Sequence, residues 1–450
     1  MELEELIVRL VAERDAAIQR QRELEMRNQE LERQNKEMAG KLSFYEGSNV
    51  PPSVATLKKK KERTPSGKKR GAPKGHRGAT RIVPPPEEIV DVRATRCPKC
   101  NGHPGKPVST ESRVVEDILP PRELRVKVTQ YDLHGYRCQH CGNEFSTRHE
   151  RCPQVGTIGP ALLVLIAMLK FYLRGPIRRV QRFLDQMCGF DLSTKGVHDV
   201  LLRVAEACRG EYDRTLAKVR AAKWCYIDET GMKVLGKLHW LWIFRTDGGD
   251  VLVAIRPSRG RNVLEEILGK DFVGPAVADG WRAYGHIVAL QRCWAHLIRV
   301  VDDLEEVSDA GKGLSGEIHA KFKDLKGFLD GNPSMEERGC RKAELDAGME
   351  ALVARYSSIG ELEKAVTYIS NGLGHWHTCL LYPGMEPTNN LGEQAMREHV
   401  IYRKIIGCFR SENGSQSYQY ISSALATWRL QDKNMFEELE KVVVKELCLK

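Results

Sequence analysis

The run Trp224-Cys-Tyr-Ile-Asp-Glu-Thr-Gly231 decides how this chain is read: an apolar stretch of strand character ends on a carboxylate, Asp228. The same design recurs in Pro275-Ala-Val-Ala-Asp-Gly280, which ends on Asp279. A third acid, Glu393, stands in Pro387-Thr-Asn-Asn-Leu-Gly-Glu393, where Thr388 or Asn389 is expected to cap a helix. Two carboxylates at strand ends and one on a helix can hold a pair of divalent cations, and oxygen ligands suit Mg²⁺ or Mn²⁺. Such a pair stabilises the attacking and leaving oxygens of a phosphoryl transfer. Singly, each acid has an ordinary explanation: a turn residue, a helix cap or, for Glu393, an i, i+4 pair with Arg397. The combination points to chemistry. Glu229, beside Asp228, is read as a neighbour outside the ligand set.

Around the first two acids the pattern is that of a sheet. Trp224 to Ile227, His239 to Arg245 and Val251 to Arg256 are strand-like runs. Gly236 and Asp247-Gly-Gly249 separate them, as in consecutive antiparallel strands. A helix over Asn262 to Leu268 leads to a fourth strand ending at Asp279, then a short helix and a fifth strand near Ile287 to Gln291. This order resembles the ribonuclease H-like fold, whose first and fourth strands are neighbours. Asp228 and Asp279 are therefore expected to meet. Residues 298–385 read as a helical insertion broken at Gly331-Asn-Pro333.

The fold class expected is a multidomain α+β chain, built outward from that α/β catalytic core (223–297 and 386–450). Residues 1–48 carry a heptad, with Leu3, Leu10, Ala17, Leu24, Leu31, Met38 and Tyr45 seven apart. That predicts a coiled coil and a homodimer or higher assembly, although the companion seam, with Arg14, Gln21, Asn28 and Asn35, is polar enough for a lone amphipathic helix. Residues 49–83 form a basic linker. Between Lys58 and Arg81 lie eleven Lys or Arg against one acid, so this stretch alone equals the net charge of +10 of all 450 residues. Lys68, Lys69, Arg70, Lys74 and Arg77 are expected to meet DNA phosphates through counterion release.

Residues 84–152 hold Cys97-Pro-Lys-Cys100 and Cys138-Gln-His-Cys141, two thiolate pairs that complete a tetrahedral structural Zn²⁺ site. Residues 153–222 read as helix, glycine turn, helix, the outline of a helix-turn-helix. There Arg178, Arg179, Arg182 and Lys195 are candidate DNA contacts, balanced against plain packing. Arg397, Arg403 and Lys404 follow Glu393 and are expected to touch phosphate. Cys293 and His296, three apart, are read as structural elements near the site; zinc binding with distant ligands is the alternative. No apolar run reaches the ~20 residues of a membrane span. With no basic-then-apolar leader in the sequence, a cytoplasmic, nucleoid-associated protein is expected.

These blocks resemble the large catalytic subunit of the transposases of insertion-sequence family sixty-six, in the DDE superfamily. The resemblance rests on Ile227-Asp-Glu-Thr-Gly231, Val277-Ala-Asp-Gly280 with Tyr284, and Cys293-Trp-Ala-His-Leu-Ile-Arg299. Asn389-Asn-Leu-Gly-Glu393, Arg397 and Arg403-Lys404 complete it. It implies that Asp228, Asp279 and Glu393 are the catalytic triad, binding two Mg²⁺ or Mn²⁺ ions. It also implies double-stranded DNA, at element ends and target, as substrate, with accessory proteins of the same element as partners. Trp281-Arg282 and Gly407-Cys-Phe-Arg-Ser-Glu-Asn-Gly414 depart from the family pattern. The competing readings are a non-catalytic DNA-binding relic and a ribonuclease H-like nuclease that cuts without joining.

Overall fold

The computed structural model describes residues 148–450 without a break, with residues 126, 128–132, 135–137 and 144–146 and, earlier, 19–21, 23–28 and 31–32. The chain divides into two compact units, Met1–Val126 and Lys127–Lys450. In the first, positions 19–21, 23–28 and 31–32 are helical, and the seam residues Leu24 and Leu31 are exposed. The remaining hydrophobic seam, the basic residues Lys68, Lys69, Arg70, Lys74 and Arg77, and the thiols Cys97, Cys100, Cys138 and Cys141 lie outside the described residues.

In the second unit a small antiparallel pair, β1 (Gly135–Arg137) and β2 (Glu144–Ser146), precedes the main sheet. The sheet comprises β3 (Cys225–Val234), β4 (Lys237–Thr246), β5 (Val251–Arg256), β6 (Ala276–Ala278) and β7 (Leu290–Arg292), in the order β5-β4-β3-β6-β7. β3, β4 and β5 are antiparallel, whereas β6 runs parallel to β3 and β7 parallel to β6. The expected adjacency of first and fourth strands is therefore present.

One expectation needs correction. Asp228 does not end its strand: β3 continues to Val234 because Thr230, Met232 and Val234 keep the two-residue alternation on one face. The turn into β4 follows at Leu235-Gly236, both with positive φ (51° and 78°), the two-residue hairpin geometry that matches strand twist.

Twelve α-helices surround the sheet among the described residues. α1 (Pro160–Ala167), α2 (Ile177–Cys188), α3 (Thr194–Ala207) and α4 (Arg209–Ala221) precede it, and α5 (Arg261–Leu268) links β5 to β6. α6 (Trp294–Asp302) runs across residue 298, and α7 (Asp309–Asp330), α8 (Met335–Tyr356) and α9 (Glu363–Ser370) follow within residues 298–385. α10 (Asn390–Ile406), α11 (Glu412–Leu430) and α12 (Met435–Val443) close the chain. Local chemistry sets their ends. Ser193 accepts the Gly196 amide at the start of α3, Gly189 takes φ 62° after α2, and Ser334 with Glu337 forms a capping box on α8.

On one face of the sheet, Met232, Val234, Leu241, Ile243 and Val253 share a core with α1–α3 and α10–α12. Residues 153–222 thus bury their apolar side in common with the sheet. Farther along the same face, Tyr226 and Val277 join a core built by α6–α9 around Trp294 and Trp376. The opposite face packs Ile227, Trp242 and Phe244 against α4 and α5.

The β5 edge is sealed by a helix. Gln419, Ser423 and Thr427, one turn apart on α11, accept the outward amides of Ile255, Val253 and Val251 at 3.0, 2.9 and 2.9 Å. Each bond is worth about 1 kcal/mol, and together they deny the edge to a foreign strand.

Candidate active site

The β3–β6 register pairs Tyr226 with Val277. Continued two residues, it sets Asp228 level with Asp279 on strands about 4.8 Å apart. Asp228 lies on the face shared with Thr230 and Met232, opposite Ile243 of β4. α10 covers that face, and Glu393 sits in its first turn. The three acids so widely spaced in sequence therefore occur on one side of the sheet.

Asn389 ties their elements together. Its side-chain amide donates to the Ile227 carbonyl at 2.8 Å, beside Asp228, and its main-chain N–H donates to Cys293 Sγ at 3.1 Å. Its carbonyl accepts the Glu393 amide at 2.9 Å, and the Cys293 amide reaches the carbonyl of Ala278, beside Asp279, at 2.9 Å. Asn389 thus occupies the expected cap position but makes no side-chain cap; its side chain joins helix to strand. A Cβ on Gly392 would stand 2.5 Å from Asn389 Oδ1, so only glycine leaves this side chain its place.

The electrostatics single out Asp228. Its pKa is pushed up to about 8, first by burial and then by the charges of Glu229, Asp279 and Glu393; its bond from the Glu229 amide only partly offsets this. Asp279 Oδ1 accepts the Trp281 amide at 2.8 Å. Glu393 is held by Arg299 at 3.2 Å, with His296 Nδ1 at 3.7 Å. Among the described residues no ion pair joins Glu393 to Arg397, so the i, i+4 explanation of Glu393 is not realised. Arg299, three residues beyond His296 on α6, was missed by sequence reasoning.

Glu229 points the other way. It is opposite Trp242, whose side chain belongs to the back-face core. Its carboxylate pairs with Arg259 at 2.7 Å and accepts from the Tyr284 hydroxyl. Arg259 is sandwiched between Trp240 and Trp281, 4.6 and 4.1 Å from the ring centroids. Trp281, two residues after Asp279, also donates its indole N–H to the Arg259 carbonyl at 3.1 Å. This network anchors the segment that carries Asp279.

The expected DNA contacts divide. Arg178, Arg179, Arg182, Lys195, Arg397 and Lys404 are exposed, Lys195 in an ion pair with Asp199 at 2.6 Å. Arg403 is a correction. It is buried, and its guanidinium donates to Thr230 Oγ1 at 2.7 Å and the Gly231 carbonyl at 2.6 Å, fixing α10 to β3. The α10 residues Gly392, Ala395, Met396, His399, Tyr402 and Arg403 form its buried stripe, so helical periodicity already placed Arg403 inward.

The ligand atoms of Cys293 and His296 and a Glu393 oxygen all fall within 4.8 Å of one another. Burial raises the Cys293 thiol pKa, and burial followed by Arg299 lowers that of His296. No helix among the described residues is long and apolar enough to cross a membrane.

Residues 155–417, more than half of the chain, match the model of the Transposase IS66 family. None of the curated proteins compared with the chain matches it. The chain belongs to the Transposase IS66 family.

Proposed function

We propose that this family member is a DNA transposase that cleaves DNA at its element's ends and joins the freed 3′-hydroxyl to target DNA, with Asp228, Asp279 and Glu393 holding two Mg²⁺ or Mn²⁺ ions. The observation that carries the reading is the level placement of Asp228 and Asp279 on neighbouring parallel strands, beneath the helix bearing Glu393. The strand order β5-β4-β3-β6-β7 supports a ribonuclease H-like core.

The residues fit such ions. Three acids, Glu229 included, raise the pKa of Asp228, and positive charge beside it relieves that crowding. When bound, the cations supply charge stabilisation for the attacking and leaving oxygens and lower the pKa of a bound water. The chain contributes positioning. Asn389 and Cys293 fix the spacing of the three acid-bearing elements, and Arg403 locks α10 on β3. Exposed Arg397 and Lys404 follow Glu393 on the same helix and would meet phosphates, as would Arg178, Arg179 and Arg182 on α2. The coiled-coil dimer and the four-cysteine Zn²⁺ module of the first 152 residues belong to the same proposal.

The test is incubation of the protein with labelled element-end DNA, a target plasmid, Mg²⁺ or Mn²⁺ and the element's accessory proteins, beside an Asp279→Asn control. Joined products that need both metal and Asp279 are expected. Cut ends without joining would identify a nuclease, and binding without cutting a DNA-binding relic; either would overturn the proposal.

A further inference from the structure

We propose that Cys293, His296 and Glu393 form a site for a thiophilic divalent cation of the Zn²⁺ class, which draws Glu393 away from the oxygen-ligand pair. The site itself stands on geometry; the competition rests on the catalytic reading of Glu393.

Cys293 occupies the N-cap position of α6 and His296 its first turn, so the i, i+3 spacing turns both toward the start of α10. The three ligand atoms lie within 4.8 Å of one another, and His296 Nδ1 is 3.7 Å from Glu393 Oε1. Two ligands at ~2.1 Å from a tetrahedral ion stand about 3.4 Å apart, so a shift of a few tenths of an ångström closes this pair on one ion.

His296 Nδ1 is an independent observation: it is buried from solvent and makes no hydrogen bond. A buried ring nitrogen without a partner calls for an explanation, and a bound ion is one of the standard ones. The thiol is held from behind by the Asn389 amide at 3.1 Å, as outer contacts orient metal ligands. One sulfur, one imidazole and one carboxylate are a Zn²⁺ donor set that leaves a fourth position open. The His296 and Glu393 side chains are 29% and 35% exposed, which gives an ion its way in.

Binding needs two rearrangements. The Cys293 thiol gives its proton to solvent as sulfur becomes a ligand. Arg299, whose side chain is 59% exposed, releases Glu393. The cluster of Asp302, Glu305 and His319 offers a contrast: it is exposed, and its members are already bonded to one another and to Ser315.

The probe is Co²⁺, titrated into the metal-stripped full chain and read by the thiolate-to-cobalt charge-transfer band. Wild type should bind one more equivalent than Cys293→Ser or His296→Ala, since the upstream cysteines contribute equally to all three. Zn²⁺, and not Mg²⁺, should displace that equivalent. Circular dichroism checks folding, and the partly exposed His296→Ala variant decides alone if Cys293→Ser does not fold. Equal stoichiometry and spectra in wild type and folded variants would overturn the site. Zn²⁺ should also inhibit Mg²⁺-dependent cleavage. Co²⁺ bound at Cys293 with cleavage indifferent to Zn²⁺ would overturn the competition alone. Cleavage that survives Glu393→Gln would instead overturn the catalytic reading of Glu393.

Discussion

Asp228 and Glu229 are consecutive residues of β3, yet they meet opposite faces of the sheet and opposite electrostatic fates. Burial pushes both carboxyls toward the protonated form. Glu229, its side chain only 1% exposed, is met by Arg259 and the Tyr284 hydroxyl, which pull it back. Asp228 has one backbone N–H and three acidic neighbours, and among the described residues it forms no ion pair. A buried acid with its own cation is part of the frame. One left among like charges is where an external cation is wanted. On the proposed reading, two adjacent letters of the sequence divide structural from chemical work.

The largest effect that would break this contrast concerns activity. Asp228→Asn or Asp279→Asn should lower strand cleavage by about 10³-fold or more while end binding persists, measured on labelled DNA. Full cleavage by either variant would remove the basis of the assignment. Next, Arg259→Ala should cost about 3 kcal/mol of stability, because it leaves buried Glu229 without its cation. Urea unfolding reads this, and a loss within error would mean that Glu229 simply takes up a proton.

Arg403→Ala should cost about 2 kcal/mol, the two charge-assisted bonds to Thr230 and Gly231 being lost, by the same measurement. The pH dependence is opposite in sign. The pKa of Asp228 is raised in the folded state, so its contribution to stability is complete below the unfolded value near 4. It is lost as pH rises toward 8. Asp228→Asn should therefore raise the melting temperature of the metal-free protein at pH 8 by roughly 2–4 °C for each ~1 kcal/mol regained. Calorimetry at pH 5 and 8 should show a clearly larger gain at the higher pH. Finally, Arg178→Ala should weaken DNA binding alike on all sequences and reduce the salt slope by about 1.

Much of the frame was legible in sequence because it depends on short-range pattern. Apolar runs punctuated by Gly236 and Gly249 gave the hairpins, and the likeness of the element order to the ribonuclease H-like fold put Asp279 beside Asp228. What failed were the endpoints and the long-range ties. The end of β3 was misplaced because polar Thr230 and Lys233 hide an alternation that only the β4 partner reveals. The inward turn of Arg403 was present in the periodicity of α10 but masked by its charge. The Glu229, Arg259, Trp240 and Trp281 network joins positions that no local period relates. Asn389 looked like a cap because its type suits one, whereas packing sends its amide to Ile227 instead.

The most direct measurement is Mn²⁺ titration by calorimetry, in the presence of element-end DNA, of wild type, Asp228→Asn and Glu229→Gln. Two bound ions in wild type and in Glu229→Gln, with loss or strong weakening in Asp228→Asn, is the predicted result. Unchanged Mn²⁺ binding in Asp228→Asn, with loss in Glu229→Gln, would contradict the division between the two faces.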